Sequence, residues 1–288
     1  MRYAYHRGEY LRVDGTHMLE THALHYASSV FEGIRVYAGH AFMLREHAER
    51  LITSAHLIGL DAPFDVDHVC RVCQDLVATS GLKDAYLRPL IYDPGPGLDV
   101  YAHHNTCTLG VVLWEWPHVF ESHQYTRGVS LSTDVPFCRP DPASYPPQAK
   151  ASSGYMMGTA NRRHAVKNGF DDALLRSLQG YIAETTAANI FFVFKDRLAT
   201  PTPDCFLNGI TRQVAMKLAQ SLGMGAEDAY LNMDDIKEAT EVFLTGTAYE
   251  ITPVTLIDTH HYPVGPTTRL IQERYRDLCY HLSPHVCM

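Results

Sequence analysis

The chain has 288 residues, a formal net charge of −8, and 46% hydrophobic and 19% charged residues, the profile of an ordinary globular protein with about two domains. The acidic balance argues against a nucleic-acid-binding surface or a polybasic membrane patch, and neither a signal peptide nor an apolar run of bilayer length is visible. Seven cysteines, an odd number without regular spacing, fit free thiols in a reducing compartment, so a soluble cytoplasmic protein is expected.

Taken in chain order, the first third mixes short strand-like runs with helical patterns at roughly 45–58 and 67–79. Cys70-Arg71-Val72-Cys73 falls inside the second pattern. Without a second ligand pair at metal-binding spacing, it reads as two helix cysteines and not as a zinc or redox site. The pairs His103-His104 and His260-His261 direct adjacent side chains to opposite sides of a strand, and no metal site is expected. Strands are predicted at 84–92 and 107–116, where β-branched and aromatic residues concentrate. A polar, proline-containing passage near 117–127 then marks the domain boundary. The expected division is a smaller N-terminal domain over 1–118, an interdomain loop over 119–127 and a larger cofactor-binding domain over 128–288.

The prolines of PFCRPDPASYPP (136–147) exclude a regular ladder and stiffen the approach to residue 150. A helix is predicted over about 152–167, with Ser152 or Ser153 as its N-cap. Strands follow near 172–176, 181–184, 189–195 and 197–200, and a helix opens after Gly209. Further strands are expected near 227–231 and 241–245, and a last helix over 266–281. Helices and strands alternate without a regular βαβ rhythm, which favours two α+β domains over a doubly wound parallel sheet.

Among the six lysines, Lys150 in QAKASSGY alone has no charged residue within eight positions on either side. An amine attacks an aldehyde only when neutral, and small apolar surroundings favour the neutral form. Lys150 is therefore a candidate Schiff-base lysine, the alternative being a lysine that snorkels from a loop. If the aldehyde is pyridoxal phosphate, the fold also needs a carboxylate for the ring nitrogen and a cradle for the phosphate. Glu184 in GYIAETTAANIFFVF, isolated among apolar and neutral residues, is the carboxylate candidate, with a strand-end surface glutamate as the equal alternative. Two anion cradles are visible. Asn208-Gly209-Ile210-Thr211 immediately precedes or opens a helix, where unpaired N–H groups and a threonine hydroxyl bind anions. Gly246-Thr247 follows an apolar strand and presents N–H groups from a turn. Arg50 in REHAERL is a candidate counter-charge, although its place on an amphipathic helix is equally that of a solvated arginine.

HYASSVFEGIR (25–35), REHAERL (45–51), AYLRPLIY (85–92), QAKASSGY (148–155), GYIAETTAANIF (180–191), NGITR (208–212) and GTAYEITPV (246–254) occur in this order. Together they make the chain resemble the branched-chain amino-acid aminotransferases of the fold-type IV pyridoxal-phosphate enzymes, across nearly its whole length. The resemblance implies an α+β, two-domain fold like that of D-amino-acid aminotransferase, with pyridoxal 5′-phosphate in the interdomain cleft and a homodimer completing the pocket. It implies that Lys150 forms the Schiff base and moves the substrate proton. Glu184 would meet the pyridine nitrogen and Tyr155 the ring hydroxyl. Arg50, Gly209, Ile210, Thr211, Gly246 and Thr247 would hold the phosphate, and Leu207 would touch the ring. Tyr26, Phe31, Tyr86 and Arg88 would line the substrate pocket. Arg88 would receive a distal carboxylate, and the Thr247–Ala248 turn with Tyr86 the α-carboxylate.

The implied reaction is transamination between a branched-chain or other aliphatic L-amino acid and 2-oxoglutarate or another 2-oxo acid. A lyase or D-amino-acid aminotransferase on the same scaffold, or a non-catalytic cofactor-binding protein, are the competing readings. Several positions depart from the family pattern: Ser152-Ser153-Gly154 for Gly-Gly-Asn, Thr185 for Gly, Ala188 for Glu, Ala27 for Gly and Tyr249 for a small residue. No aromatic near Val119–Phe120 aligns with the family's interdomain aromatic. These departures leave open the preferred side chain, the physiological direction, primary or specialised metabolism, and whether Tyr249 faces the pocket.

Overall fold

AYLRPLIY and TLGVVLWE pair antiparallel along their full lengths, Ala85 opposite Glu115 and Tyr92 opposite Thr108, and form the centre of the first sheet. The structure, a computed structural model, describes residues 2–6, 8–12, 21–95, 99–101, 103, 106–116 and 123–281. They fall into two compact units, one from 1–117 with 148–154 and the other from 118–147 with 155–282.

The first unit contains β1 (Arg2–His6), β2 (Glu9–Arg12), α1 (His22–Tyr26), β3 (Ser29–Phe31), β4 (Ile34–Tyr37), β5 (His40–Ala41), α2 (Leu44–Leu57), α3 (Val66–Ser80), β6 (Ala85–Tyr92) and β7 (Thr108–Glu115). Its strands run in the order β2-β1-β7-β6-β4-β5, with β3 also paired to β6. Leu44, Ala48, Leu51 and Ala55 form the buried stripe of α2, and Val69, Val72, Cys73, Leu76 and Val77 that of α3. The spacing of three and four is what lets one face of each helix close on the sheet. Asp65 accepts from the His68 N–H at 2.7 Å and starts α3, while Gly81 ends it at φ 70°, a left-handed cap suited to glycine.

The second unit contains α4 (His123–Arg127), β8 (Val129–Ser132), α5 (Tyr155–Lys167), β9 (Asp172–Arg176), β10 (Ile182–Thr185), β11 (Asn189–Val193), β12 (Leu198–Pro201), α6 (Ile210–Ser221), β13 (Ala226–Ala229), β14 (Glu241–Gly246), β15 (Glu250–Ile257), β16 (His260–His261) and α7 (Pro266–His281). Its sheet order is β10-β9-β8-β15-β14-β11-β12-β13, with β16 on β15. Leu131, Ile190, Phe192, Leu244 and Val254 are among the buried residues of its core, and Phe191 stacks on Phe243 at 5.0 Å across β11 and β14. The buried Glu241 carboxylate accepts from the Thr267 and Thr268 N–H groups at 3.1 and 2.7 Å, satisfying orphan donors at the start of α7.

The predicted helices lie where expected to within a few residues. The main shift is at 152–167, where α5 begins at Tyr155 and 152–154 form a tight 3-10 turn. Ser152 is not a cap: its hydroxyl oxygen accepts from Ser29 Oγ at 2.7 Å. The same attachment explains a difference at the domain boundary, since 148–154 groups with the first unit instead of the C-terminal one. β15 escapes periodicity because Pro253 interrupts it, yet it pairs with β14 on one side and β8 on the other. Residues 117–122, which include the first part of the expected loop and Phe120, and His104 lie outside the described residues. The remainder of that loop, 123–127, is α4. Among the described residues, no helix is long and apolar enough to cross a membrane, and no group of three or more side chains is arranged to hold a metal.

Candidate active site

In the first unit Lys150 lies in an extended segment laid against β3. Its N–H donates to Ser54 Oγ at 3.0 Å, its carbonyl accepts from Phe31 N at 3.1 Å, and Ala151 bridges antiparallel to Val30. Ser54 is fully buried on α2, so the lysine backbone is fixed by three neighbours while Nζ lies 5.1 Å from the centre of the Phe31 ring. Phe31 in turn carries the Arg88 guanidinium at 5.0 Å. Arg88 also lies over Tyr86 at 5.4 Å and Trp114 at 5.8 Å, and it donates to Tyr86 Oη at 3.4 Å. Both tryptophans of the chain, Trp114 and Trp116, pack on Tyr86 with tilted rings, their centres 4.9 Å away in each case. The Tyr86 hydroxyl fills the place where residue 33 would carry a Cβ, so a larger residue than Gly33 would have to displace the Tyr86 ring. Tyr26 is half-exposed on α1 and stacks on His22 at 4.7 Å.

Arg50, one helical turn beyond His47 on α2, is not solvated. Its Nε and Nη2 donate to the two oxygens of Glu32 at 2.6 and 2.8 Å. His47 Nδ1 donates to Glu32 Oε2 at 2.7 Å. Glu32 is completely buried. Burial opposes its ionisation, but Arg50 and His47 override that and hold the carboxyl well below the usual carboxylate range. Burial likewise pushes His47 down, only partly offset by Glu32.

In the second unit Glu184 lies on β10 and is buried. Its Oε1 is 2.7 Å from Arg139 Nη2, and its Oε2 accepts from Asn189 Nδ2 at 3.2 Å. The same amide donates to the Leu207 carbonyl at 3.0 Å, and its Oδ1 fills the place where residue 209 would carry a Cβ. Gly209 is the N-cap of α6 and provides no side-chain cap, while Ile210 and Thr211 are buried in the first turn. Asn189 therefore joins the carboxylate, the Leu207 carbonyl and the helix N-terminus. Arg212 locks this helix from behind through Thr200, the Pro201 carbonyl, Asn208 and Asp228. Gly246, Thr247 and Ala248 form the half-buried turn between β14 and β15, and Asn189 is paired with Thr245 beside it. Tyr155 opens α5 and is half-buried.

Of the site residues expected from the sequence, Tyr26, Phe31, Arg50, Tyr86, Arg88 and Lys150 belong to the first unit, and Tyr155, Glu184, Leu207, Gly209–Thr211 and Gly246–Ala248 to the second. Sequence reasoning missed Glu32, His47, Arg139 and Asn189. The available signals were slight: Glu32 lies beside Phe31, and Arg139 is an isolated cation on the proline-rich approach to Lys150.

A model of the amino-transferase class IV family matches residues 29–257. A probable branched-chain-amino-acid aminotransferase of Rickettsia felis is 40% identical over 239 residues, which are 83% of this chain and 80% of that protein. The branched-chain-amino-acid aminotransferase of Escherichia coli K12 is 32% identical over 284 residues, 95% and 91% of the two chains. Among solved structures, a T.th. branched-chain amino acid aminotransferase with pyridoxamine 5′-phosphate superposes at a TM-score of 0.92. It shares 30% identity and covers 98% of this chain and 95% of its own. That protein is also solved with N-(5′-phosphopyridoxyl)-L-glutamate and with 4-methylvaleric acid. The chain belongs to the class IV aminotransferase family, with the two-domain α+β fold of fold type IV, and is an aminotransferase.

Proposed function

We propose that the chain transfers the amino group of a branched-chain or other aliphatic L-amino acid to 2-oxoglutarate or another 2-oxo acid, with pyridoxal 5′-phosphate as cofactor. The names of the relatives support the substrate class, and the ligands of the T.th. protein support the cofactor and a glutamate partner. The observation that carries this reading is Asn189, which donates to a buried carboxylate and to the Leu207 carbonyl and lies against the N-cap glycine of α6. A pyridinium nitrogen and a phosphate are the chemical matches to that carboxylate and that helix N-terminus. When bound, the cofactor supplies an aldehyde and an electron-withdrawing ring.

The chain's residues divide the remaining work. Lys150 would hold the cofactor aldehyde through its amine, and the same amine would carry the proton at the substrate α-carbon. Glu184, oriented by Arg139 and Asn189, would face the ring nitrogen, Tyr155 would face the ring hydroxyl, and Leu207 would contact the ring. The phosphate ligand of the first unit would be Arg50, oriented by Glu32, and those of the second unit Gly209, Ile210, Thr211, Gly246 and Thr247. Tyr26, Phe31, Tyr86 and Arg88 serve the substrate. In the second unit Thr247–Ala248 would take its α-carboxylate, and in the first Tyr86 would face the α-carboxylate and Arg88 the distal carboxylate of glutamate. Leu24, Tyr26, Val100 and Tyr101 are 63%, 44%, 81% and 80% exposed in the first unit, which supports burial against a second copy in a cytoplasmic homodimer.

Borohydride should fix the cofactor on the peptide containing Lys150, and Lys150→Ala should lose most turnover while retaining some cofactor. Labelling on any other lysine overturns the assignment. A stoichiometric assay with L-leucine and 2-oxoglutarate should yield equal amounts of keto acid and glutamate. Release of ammonia or pyruvate without an acceptor would identify a lyase, and consumption of D-leucine alone a D-amino-acid aminotransferase.

A further inference from the structure

Tyr249 stands on the β14–β15 loop, one residue beyond the turn assigned above to the substrate carboxylate. Its hydroxyl accepts from Arg162 Nη1 at 3.1 Å and donates to Asp172 Oδ2 at 3.2 Å. The other Asp172 oxygen accepts from Thr186 Oγ1 at 2.6 Å and Ala173 N at 2.8 Å. Asp172 is 2% exposed, so this is a buried carboxylate supplied with three donors. Each partner belongs to a segment that carries a site residue. Arg162 is on α5, which Tyr155 opens. Thr186 follows β10, which holds Glu184. Tyr249 follows Gly246, Thr247 and Ala248.

The loop needs such a tether. Gly246 pairs with Glu250 at its base, and Glu250 has φ 50°, a left-handed conformation that a non-glycine residue adopts only when its surroundings enforce it. Across the loop, Tyr249 N donates to the Gly246 carbonyl at 3.0 Å, and the Tyr249 carbonyl accepts from Thr252 Oγ1 at 2.5 Å. The ring packs against the core of the second unit. Burial, reinforced by Asp172, pushes its phenol above the ordinary tyrosine range, so it stays a neutral donor at working pH.

We propose that Tyr249 is a positioning residue. Its hydroxyl, shared between Asp172 and Arg162, fixes the Gly246–Thr247–Ala248 turn so that the turn's N–H groups meet the substrate carboxylate without reorganisation. The inference rests on the carboxylate-binding reading of that turn and deepens it. Tyr249 is spent on anchoring the loop and does not select the substrate side chain.

The test compares holoenzyme variants that make the same chemical change. Tyr249→Phe removes the anchor. Tyr262→Phe removes another phenolic hydrogen bond in the same unit, that to the Ile236 carbonyl at 3.0 Å, and leaves the turn untouched. Both should lower Tm to a similar degree. Only Tyr249→Phe should raise the Kd of 4-methylvaleric acid and the KM of L-leucine, each on the order of tenfold, with kcat within about twofold. Asp172→Ala should reproduce that split, and the ranking of leucine against smaller amino acids should not change. Equal carboxylate affinity in Tyr249→Phe and wild type overturns the proposal, as does a changed substrate ranking. Absence of 4-methylvaleric acid binding in the wild type overturns the carboxylate reading itself, and the proposal with it.

Discussion

In the first unit the candidate ligand is a cation, Arg50, and the carboxylate of Glu32 holds it. In the second the candidate ligand is the carboxylate of Glu184, and the cation Arg139 holds it. The holders differ in depth. Glu32 is fully buried and grips Arg50 with both oxygens while also taking the His47 N–H. Arg139 reaches Glu184 through one nitrogen, with an asparagine on the other oxygen. A buried carboxylate gripped by both arms of an arginine and by a histidine is a structural fixture whose loss is felt by the whole fold. One held by a single arginine nitrogen and a neutral amide is oriented with less charge spent on it.

The comparison breaks most readily at Glu32. Glu32→Gln removes the buried charge that Arg50 and His47 both face, and removing one partner of a buried pair costs about 3–5 kcal/mol. Urea denaturation of the variant should show that loss, and a loss below about 1 kcal/mol would make the pair peripheral. Glu184→Gln should act on rate more than on folding. Losing the charge that supports the ring nitrogen should lower kcat about a hundredfold, or about 2.7 kcal/mol, with cofactor still bound. Near-normal turnover in a coupled assay would return Glu184 to structural duty. The folding loss should stay below that of Glu32→Gln, because an amide at 184 can still accept from Asn189, whereas Glu32→Gln breaks a bidentate arginine pair and a histidine contact.

The candidate ligands are legible in the sequence and the side chains that hold them are not. Lys150 stands out by the absence of charge around it, Glu184 by isolation between apolar runs, and Gly209 by its position before a helix. Arg50 was legible only through family resemblance, because helical periodicity gives a solvated arginine the same pattern as one bound to Glu32. Glu32 and Arg139 contact residues 18 and 45 positions away along the chain, a separation to which local propensity and periodicity are blind. Pro253 in β15 hid a central strand, since proline argues against a ladder position that the fold here tolerates. Ser152 illustrates the converse error. A serine before a helical pattern reads as a cap, but the hydroxyl is claimed by Ser29.

The smallest expected effect sharpens the same contrast through its sign. Glu32 is held below its ordinary value of 4.5 because Arg50 and His47 outweigh burial. Below pH 4.5 the unfolded chain therefore takes up a proton that the folded chain refuses. Its stabilisation is complete above that pH and is lost as the pH falls towards the folded value. His47 acts in the same direction from 6.5 downwards, because burial disfavours its cation. Asp172 is the opposite case. Burial raises it above 3.8 despite the donors from Thr186, Ala173 and Tyr249 and the Arg162 charge. Between 3.8 and that raised value the folded chain binds the proton more tightly, so this group's contribution falls as the pH rises. Glu32→Gln should flatten the acid limb of a urea-midpoint profile, whereas Asp172→Asn should steepen it just above pH 3.8. If both substitutions bend the profile the same way, the buried carboxylates of the two units are governed by one balance of burial and charge, and the contrast drawn between them fails.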